Sequence, residues 1–251
     1  MSTDRITAAA AMLLAVRQGG PRLANLGANA PTSEAEAWAV QQAVLAGLDD
    51  SIGGYKCSAP PGKAPSAAIM AAGGFRRSPA RWSVPAGEKI GIETEIAFRF
   101  GQDLPGRATP YSLADVLDAV AGVFPIVEMV STRFQNHQAV TPLEAMADNG
   151  AHGGFIMGAD VPGWRELDLK GLTMRQSCGG AVQVEQVGGN PSGDPLVPLL
   201  WLANHLPSMG LPLRAGQVVT TGSCSGLLWV EPNQRVIGEF LGFGQVIVDL
   251  A

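Results

Sequence analysis

The segment Gly91-Ile92-Glu93-Thr94-Glu95-Ile96-Ala97-Phe98 sets two carboxylates two residues apart in a run that alternates like a strand. Alternate side chains of a strand share a face. Ile92, Thr94, Ile96 and Phe98 therefore point to a core, and Glu93 and Glu95 point the other way, with Cα atoms roughly 7 Å apart. Their neighbours on that face, Gly91 and Ala97, are small and leave room for an ion and a ligand. Taken alone, such a pair is what a solvated strand face also carries. Glu128 changes the weighting, because it interrupts the apolar run Phe124-Pro125-Ile126-Val127-Glu128-Met129-Val130. A buried carboxylate without a partner is costly. Two partners compete for it: Arg133, as a structural salt bridge, or a cation shared with Glu93 and Glu95. Three carboxylates with no suitable histidine or cysteine make a hard oxygen site, suited to Mg2+ or Mn2+ with water and a ligand completing the shell.

These carboxylates need elements to position them. Residues 4–18 read as a helix stopped by Gly19-Gly20. A second helix starts from a capping box of Ser33 and Glu36 and runs to about Leu48. A strand over Ile52–Ser58 leads into a loop, rich in Pro, Gly, Ala and Ser, from Ala59 to about Gly74. A short helix at 112–121 carries Ser112 and Asp115 as a variant capping box. Strands follow at 123–131, 153–158, 181–187, 217–222, 234–240 and 244–249, and Leu196–Leu206 has helical spacing. With no repeat or long linker, residues 1–251 read as one domain: a helical portion over about 1–50 and a β-rich core over 51–251.

Composition narrows the function. The chain has 251 residues, 46% hydrophobic and only 16% charged, which permits a sizeable core and argues against disorder. Its 32 glycines and 18 prolines fit a turn-rich fold. With a net charge of −5 and no basic run, no nucleic-acid partner is expected. Cys57, Cys178 and Cys224 are three widely spaced cysteines, which argues against a disulfide framework and for a cytoplasmic protein. The apolar run Ala8–Val16 is too short to span a bilayer, and Arg17 and Arg22 stand where a signal peptide would have a cleavage site. It reads as a buried helix face, with no membrane association. His137, His152 and His205 lack metal-ligand spacing, Cys224 reads as an inert buried thiol, and Asn149 as a loop-ordering residue.

The chain resembles the 2-keto-4-pentenoate hydratase family, in the hydratase/decarboxylase branch of the fumarylacetoacetate hydrolase superfamily. The resemblance is carried by Gly54-Tyr55-Lys56, the 92–98 segment, Pro125-Ile126-Val127-Glu128 with Ser131-Thr132-Arg133, and Ala147-Asp148-Asn149. Farther along it is carried by Gly193-Asp194-Pro195, Trp201-Leu202-Ala203-Asn204, the run Gly216 to Ser223, and Leu241-Gly242. It implies an α+β, β-rich fold, a mixed β-roll or distorted barrel with N-terminal helices. It implies Glu93, Glu95 and Glu128 as ligands of Mg2+ or Mn2+, Lys56 as a catalytic residue, and Thr221, Gly222 and Ser223 as substrate-binding residues. A homo-oligomer is expected, as is a complex with a pathway decarboxylase or aldolase. One departure stands out: Pro65-Ser66 occupies the place of the family's Pro-Asp, whose aspartate is a proton-transfer group.

The implied substrate is a small 2-oxo acid, whose carboxylate and adjacent carbonyl oxygens can chelate one cation that stabilises an enolate. The resemblance implies a lyase that hydrates a 2-hydroxy-2,4-dienoate or 2-oxo-enoate to a 4-hydroxy-2-oxo acid. Three rivals share its motifs: a 2-oxo acid decarboxylase of the 4-oxalocrotonate type, an acylpyruvate C–C hydrolase, and a non-catalytic partner subunit.

Overall fold

A computed structural model describes residues 3–85 and 87–251. Two helices open it, α1 (Thr3–Arg17) and α2 (Glu34–Gly47). Ala9, Ala10 and Leu13 of α1 pack on Ala37, Val40 and Val44 of α2, together with Phe134 and Ala147. Ser33 caps α2 by accepting the Glu36 N–H, as the sequence predicts. The reciprocal half of that box is absent, because the Glu36 carboxylate turns to Thr32 and Arg5.

Thirteen strands follow among the described residues: β1 (Ile52–Ser58), β2 (Ser66–Ala71), β3 (Phe75–Arg77), β4 (Ala80–Trp82), β5 (Ile90–Phe100), β6 (Val120–Val130), β7 (His152–Met157), β8 (Thr173–Cys178), β9 (Ala181–Val187), β10 (Val218–Thr220), β11 (Leu228–Val230), β12 (Arg235–Phe240) and β13 (Gly244–Leu250). Between them lie α3 (Leu113–Ala119), α4 (Pro142–Ala147) and α5 (Leu196–His205). One eight-stranded sheet has the order β2-β1-β10-β5-β6-β7-β3, with β11 also on β5. A five-stranded sheet has the order β4-β13-β12-β8-β9. The β-rich α+β fold is as expected. The sheets stay open among the described residues, so the roll is present and the barrel alternative is not.

The predicted pleat of β5 holds. Ile92 packs with Val127, Met129, Val236 and Val248, and Ile96 and Phe98 pack with Val123, Met174, Phe240 and α5. Each such fully buried aliphatic or aromatic side chain stabilises the fold by about 1.5–3 kcal/mol. Gly238 of β12 lies directly against Thr94, where a Cβ would come within 2.5 Å of the threonine oxygen. This close approach joins the two sheets behind the carboxylates.

The expected loop at 59–74 is a correction: it contains β2, which pairs with β1 from Ser58↔Ser66 to Ile52↔Ala71. Alanine-rich Ser66-Ala67-Ala68-Ile69-Met70-Ala71 lacks the branched residues that mark a strand, and its pairing with β1 overrides local preference. Helix α3 keeps its predicted capping box but ends early, and β6 starts at Val120.

Helix α4 is an addition to the expected elements: it is held by Thr141-Pro142-Leu143-Glu144, a full capping box with proline in the first turn. The Glu144 carboxylate also accepts the Leu26 N–H at 2.7 Å, tying α4 to the segment between α1 and α2. Thr141→Ala removes the cap and should cost about 1 kcal/mol. Urea unfolding should show this as a lowered midpoint at unchanged slope; an unchanged midpoint would exclude the cap as a stabilising element.

Candidate active site

Pairing register builds the site. Strands β5 and β6 run antiparallel with Glu93 opposite Glu128, and Glu95 one pleat along on the same face. Carboxylate oxygens of Glu93, Glu95 and Glu128 all lie within 4.8 Å of one another. Glu95 and Glu128 are buried, and Glu93 is half-buried. On the other side of β5, β10 is held between β5 and β1, with Thr220 opposite both Ala97 and Lys56. That puts the Lys56 ammonium on the carboxylate face, where it donates to Glu128 Oε1 at 2.7 Å and to the Gly150 carbonyl at 3.1 Å.

A cavity of about 550 Å³ opens above this set, lined by Lys56, Glu93, Glu95, Ser66, Gly222 and Ser223 among others. Glu128 is not part of the lining: it lies beneath, beside Glu93 and Glu95, and is 1% exposed. The 221–225 turn is strapped to β5: Cys224 N–H donates to the Thr94 carbonyl, and the Thr94 N–H donates to Ser225 Oγ. This brings the Gly222 N–H to Glu95 Oε2 at 3.0 Å. Two of the three expected turn residues, Gly222 and Ser223, thus line the cavity. Thr221 does not: it is fully buried, and its hydroxyl donates to the Ile96 carbonyl.

Arg133 is not the partner of Glu128. Its guanidinium is buried against Asp148 and the carbonyls of Asp148 and His152. The partner sequence reasoning missed is His152, whose Nδ1 lies 2.9 Å from Glu128 Oε1. The cause is a bulge between Met129 and Val130 that sets His152 opposite Val130. Regular pairing would have turned it to the other face. Gly153 permits the bulge, since a Cβ there would meet the Met129 carbonyl at 2.8 Å. No spacing in the sequence links 152 to 128.

Electrostatics separates the three glutamates. Burial raises the Glu128 carboxyl, but Lys56 and His152 outweigh it and bring it down to about 2. Burial, then Glu128 and Glu93, push Glu95 well above its ordinary value of 4.5. Burial also raises Glu93, with Lys56 opposing. Burial pulls the Lys56 ammonium down, but the three carboxylates overcome it and hold it charged. Burial lowers His152 despite Glu128, so its ring is neutral.

The glutamate set fits a divalent cation. Glu128 Oε2 is buried without a hydrogen-bond partner among the described residues, and Glu95 carries the cost of burial and two like charges that Lys56 and the Gly222 N–H offset only in part. An all-carboxylate donor set matches Mg2+ or Mn2+.

The profile of the fumarylacetoacetate (FAA) hydrolase C-terminal domain matches residues 58–250. The chain belongs to the fumarylacetoacetate hydrolase family. Within that family, it is 30% identical over 155 residues to 2-keto-4-pentenoate hydratase 2 of Dechloromonas aromatica, covering 62% of this chain and 58% of that one. It is 34% identical over 152 residues to 2-hydroxyhexa-2,4-dienoate hydratase of Comamonas testosteroni, covering 61% and 56%. The match therefore spans less than two thirds of these relatives' own lengths. Among solved structures, 4-oxalocrotonate decarboxylase from Pseudomonas putida G7, complexed with magnesium and adipate, superposes with a TM-score of 0.88. That likeness is at 22% identity over 100% of this chain and 99% of the other, and it concerns the fold. Among the described residues, no helix is long and apolar enough to cross a membrane.

Linkage gives one prediction for the metal-free protein. The folded Glu95 pKa lies above the unfolded one, so the folded state keeps a proton that the unfolded state sheds. Stability therefore falls as pH rises from about 4.5 through the folded pKa. Glu95→Gln removes this penalty and should melt higher than the parent at pH 8, with the difference vanishing near pH 4. A variant less stable than the parent at both pH values would contradict the like-charge account.

Proposed function

We propose that this protein is a divalent-metal-dependent lyase of the hydratase type, adding water to a 2-hydroxy-2,4-dienoate or 2-oxo-enoate to give a 4-hydroxy-2-oxo acid. The observation carrying this reading is the Glu93–Glu95–Glu128 set at the foot of a cavity that also presents Lys56. The hydratase names of the relatives supply the reaction class. A cation held by the three glutamates would act as a Lewis acid toward the C2 oxygen of a 2-oxo acid. His152 fixes the Glu128 carboxylate through Nδ1 and stays neutral. Lys56, charged and held by Glu128 and Gly150, sits at the cavity wall where it can neutralise the substrate carboxylate or deliver a proton to carbon. The Gly222–Ser223 turn holds Glu95 and closes one side, and β2 brings Ser66 to the other.

Ser66 supports a second reading, 2-oxo acid decarboxylation on the same site. Apart from Lys56, Cys57, Glu93 and Glu95, the cavity lining has no titratable side chain. Hydration requires a group to activate or deliver water, whereas loss of carbon dioxide requires only stabilisation of the charge left behind. The test is to incubate the protein with Mg2+ or Mn2+ and 2-hydroxypenta-2,4-dienoate or 2-oxo dicarboxylates, following dienol absorbance and released carbon dioxide. Dienol loss above spontaneous ketonisation, without carbon dioxide, is the hydratase result, and carbon dioxide release is the decarboxylase result. No turnover on either class would overturn both readings.

A further inference from the structure

A second cleft, larger than the first at about 800 Å³, is not lined by the three carboxylates. The 149–151 turn separates the two: Asn149 lines the larger cleft, and Gly150 lines the smaller cavity. The lining of the larger cleft includes the apolar Val44, Leu45, Leu48, Ile69 and Trp82. It also carries Arg17, Arg22, Arg76 and Arg133 against only two carboxylates, Asp50 and Glu88.

Most of these charges are already used. Arg133 is paired with Asp148, and Arg22 with Glu88 at 2.5 Å. Asp50 spends both oxygens on the backbone N–H groups of Ser51 and Gly73. Arg17 and Arg76 are left, and neither forms an ion pair among the described residues. Arg76 reaches only the carbonyls of Gly73 and Phe75, with its guanidinium 5.9 Å from the centre of the Trp82 ring. Arg17 donates to the Asn149 side-chain oxygen at 3.0 Å, while its Nε is buried with no hydrogen-bond partner. The Nε2 of His152, a residue 5% exposed that also lines this cleft, is likewise buried and unpartnered. Burial and then Arg133 pull the Arg17 guanidinium down to about 9, with Asp148 opposing only in part, a cost that a bound anion would relieve. In a chain of net charge −5, this is a local surplus of positive charge in a cleft that also has apolar lining residues.

We propose that this cleft is a second ligand site, taking a small organic carboxylate with an apolar body. Arg17 and Arg76 bring guanidinium groups without ion-pair partners among the described residues to the cleft lining, where they would hold the carboxylate, and Leu45, Leu48 and Trp82 would cover the hydrocarbon part. The site stands apart from the candidate active site and does not depend on its reaction.

The test uses the full chain without metal and 4-fluorobenzoate as probe, followed by 19F NMR. Saturable binding with a Kd of about 1 mM or tighter is expected for a ligand of this size. Arg17→Gln should weaken it at least about 10-fold, the worth of a charge-assisted hydrogen bond. Arg76→Gln, at an exposed position that tolerates change, should weaken it by a smaller factor. Lys56→Met should leave it unchanged. The neutral 4-fluorobenzamide should not bind, and inorganic phosphate should compete poorly. Absence of saturation by 10 mM would overturn the proposal. So would equal binding of the amide, or binding lost in Lys56→Met and kept in the arginine variants. Equal competition by phosphate would overturn the assignment of an apolar ligand body. If Arg17→Gln does not fold, Arg76→Gln and the amide comparison decide the question.

Discussion

Glu128→Gln is expected to abolish divalent-metal binding while the fold survives. Glu128 sits opposite Glu93 on the central strand pair, and its second oxygen is the one buried carboxylate atom of the set with nothing bonded to it. The substitution preserves shape and leaves an amide oxygen to accept from Lys56. It removes one of three negative charges from the proposed metal site and puts an amide NH2, which cannot ligate a cation, where the unpartnered Oε2 stood. Removing an outer-shell partner of a metal site costs 10–100-fold in affinity, so losing a ligand should cost about 100-fold or more. Titration calorimetry with Mn2+ measures this directly, with near-UV circular dichroism confirming the fold. Turnover should fall to background with it. Metal affinity unchanged in both Glu128→Gln and Glu93→Gln would sink the assignment of the carboxylate set.

Gly54→Ala should do the reverse, weakening the fold rather than removing a chemical group. Gly54 pairs with Val218 where β1 meets β10, and an added Cβ would stand 1.8 Å from the Val218 carbonyl oxygen. The obstacle is backbone, so no side-chain rotation relieves it. Strands β1 and β10 must separate, two residues before Lys56. Overpacking of this kind exceeds the usual 1–3 kcal/mol, and about 4 kcal/mol or more is expected. In a chain of this size that lowers the melting temperature by about 10 °C. Gly106→Ala is the matched control, since its nearest neighbour would be a Pro207 carbon at an ordinary 3.4 Å. A Gly54→Ala protein melting within 2 °C of the control would refute the close-approach account.

Much of the site was legible because its central feature is local. Glu93 and Glu95 share a face by the strand period alone, and the interrupted apolar run marked Glu128 as needing a partner. Which partner it took was not legible. Arg133 lies nearer in sequence, yet Asp148 captures it, and His152 reaches Glu128 only through a bulge. Thr221 was grouped with Gly222 and Ser223 because the three are contiguous. Thr221 ends a strand edge facing the core, while the next two residues turn outward to the cavity. The longer helices and most of the long strands carry strong periodicity and came through, whereas the six-residue α4 and the polar β8 did not. The short or alanine-rich β2, β3, β4 and β11 do not, and they exist only through their pairing partners.

The position of β10 carries a kinetic consequence. Only three residues long, it sits between β1, some 160 positions earlier, and β5, some 120 positions earlier, and it joins the strand that carries Lys56 to the glutamate strands. Contacts of such sequence separation form late, because the intervening chain must first be closed into a loop. During synthesis, the nascent chain can assemble the Glu93–Glu128 hairpin long before residue 218 emerges. The lysine and the carboxylates come into register only when that short strand is inserted, so a chain ending before it would hold the acidic residues without their counter-charge.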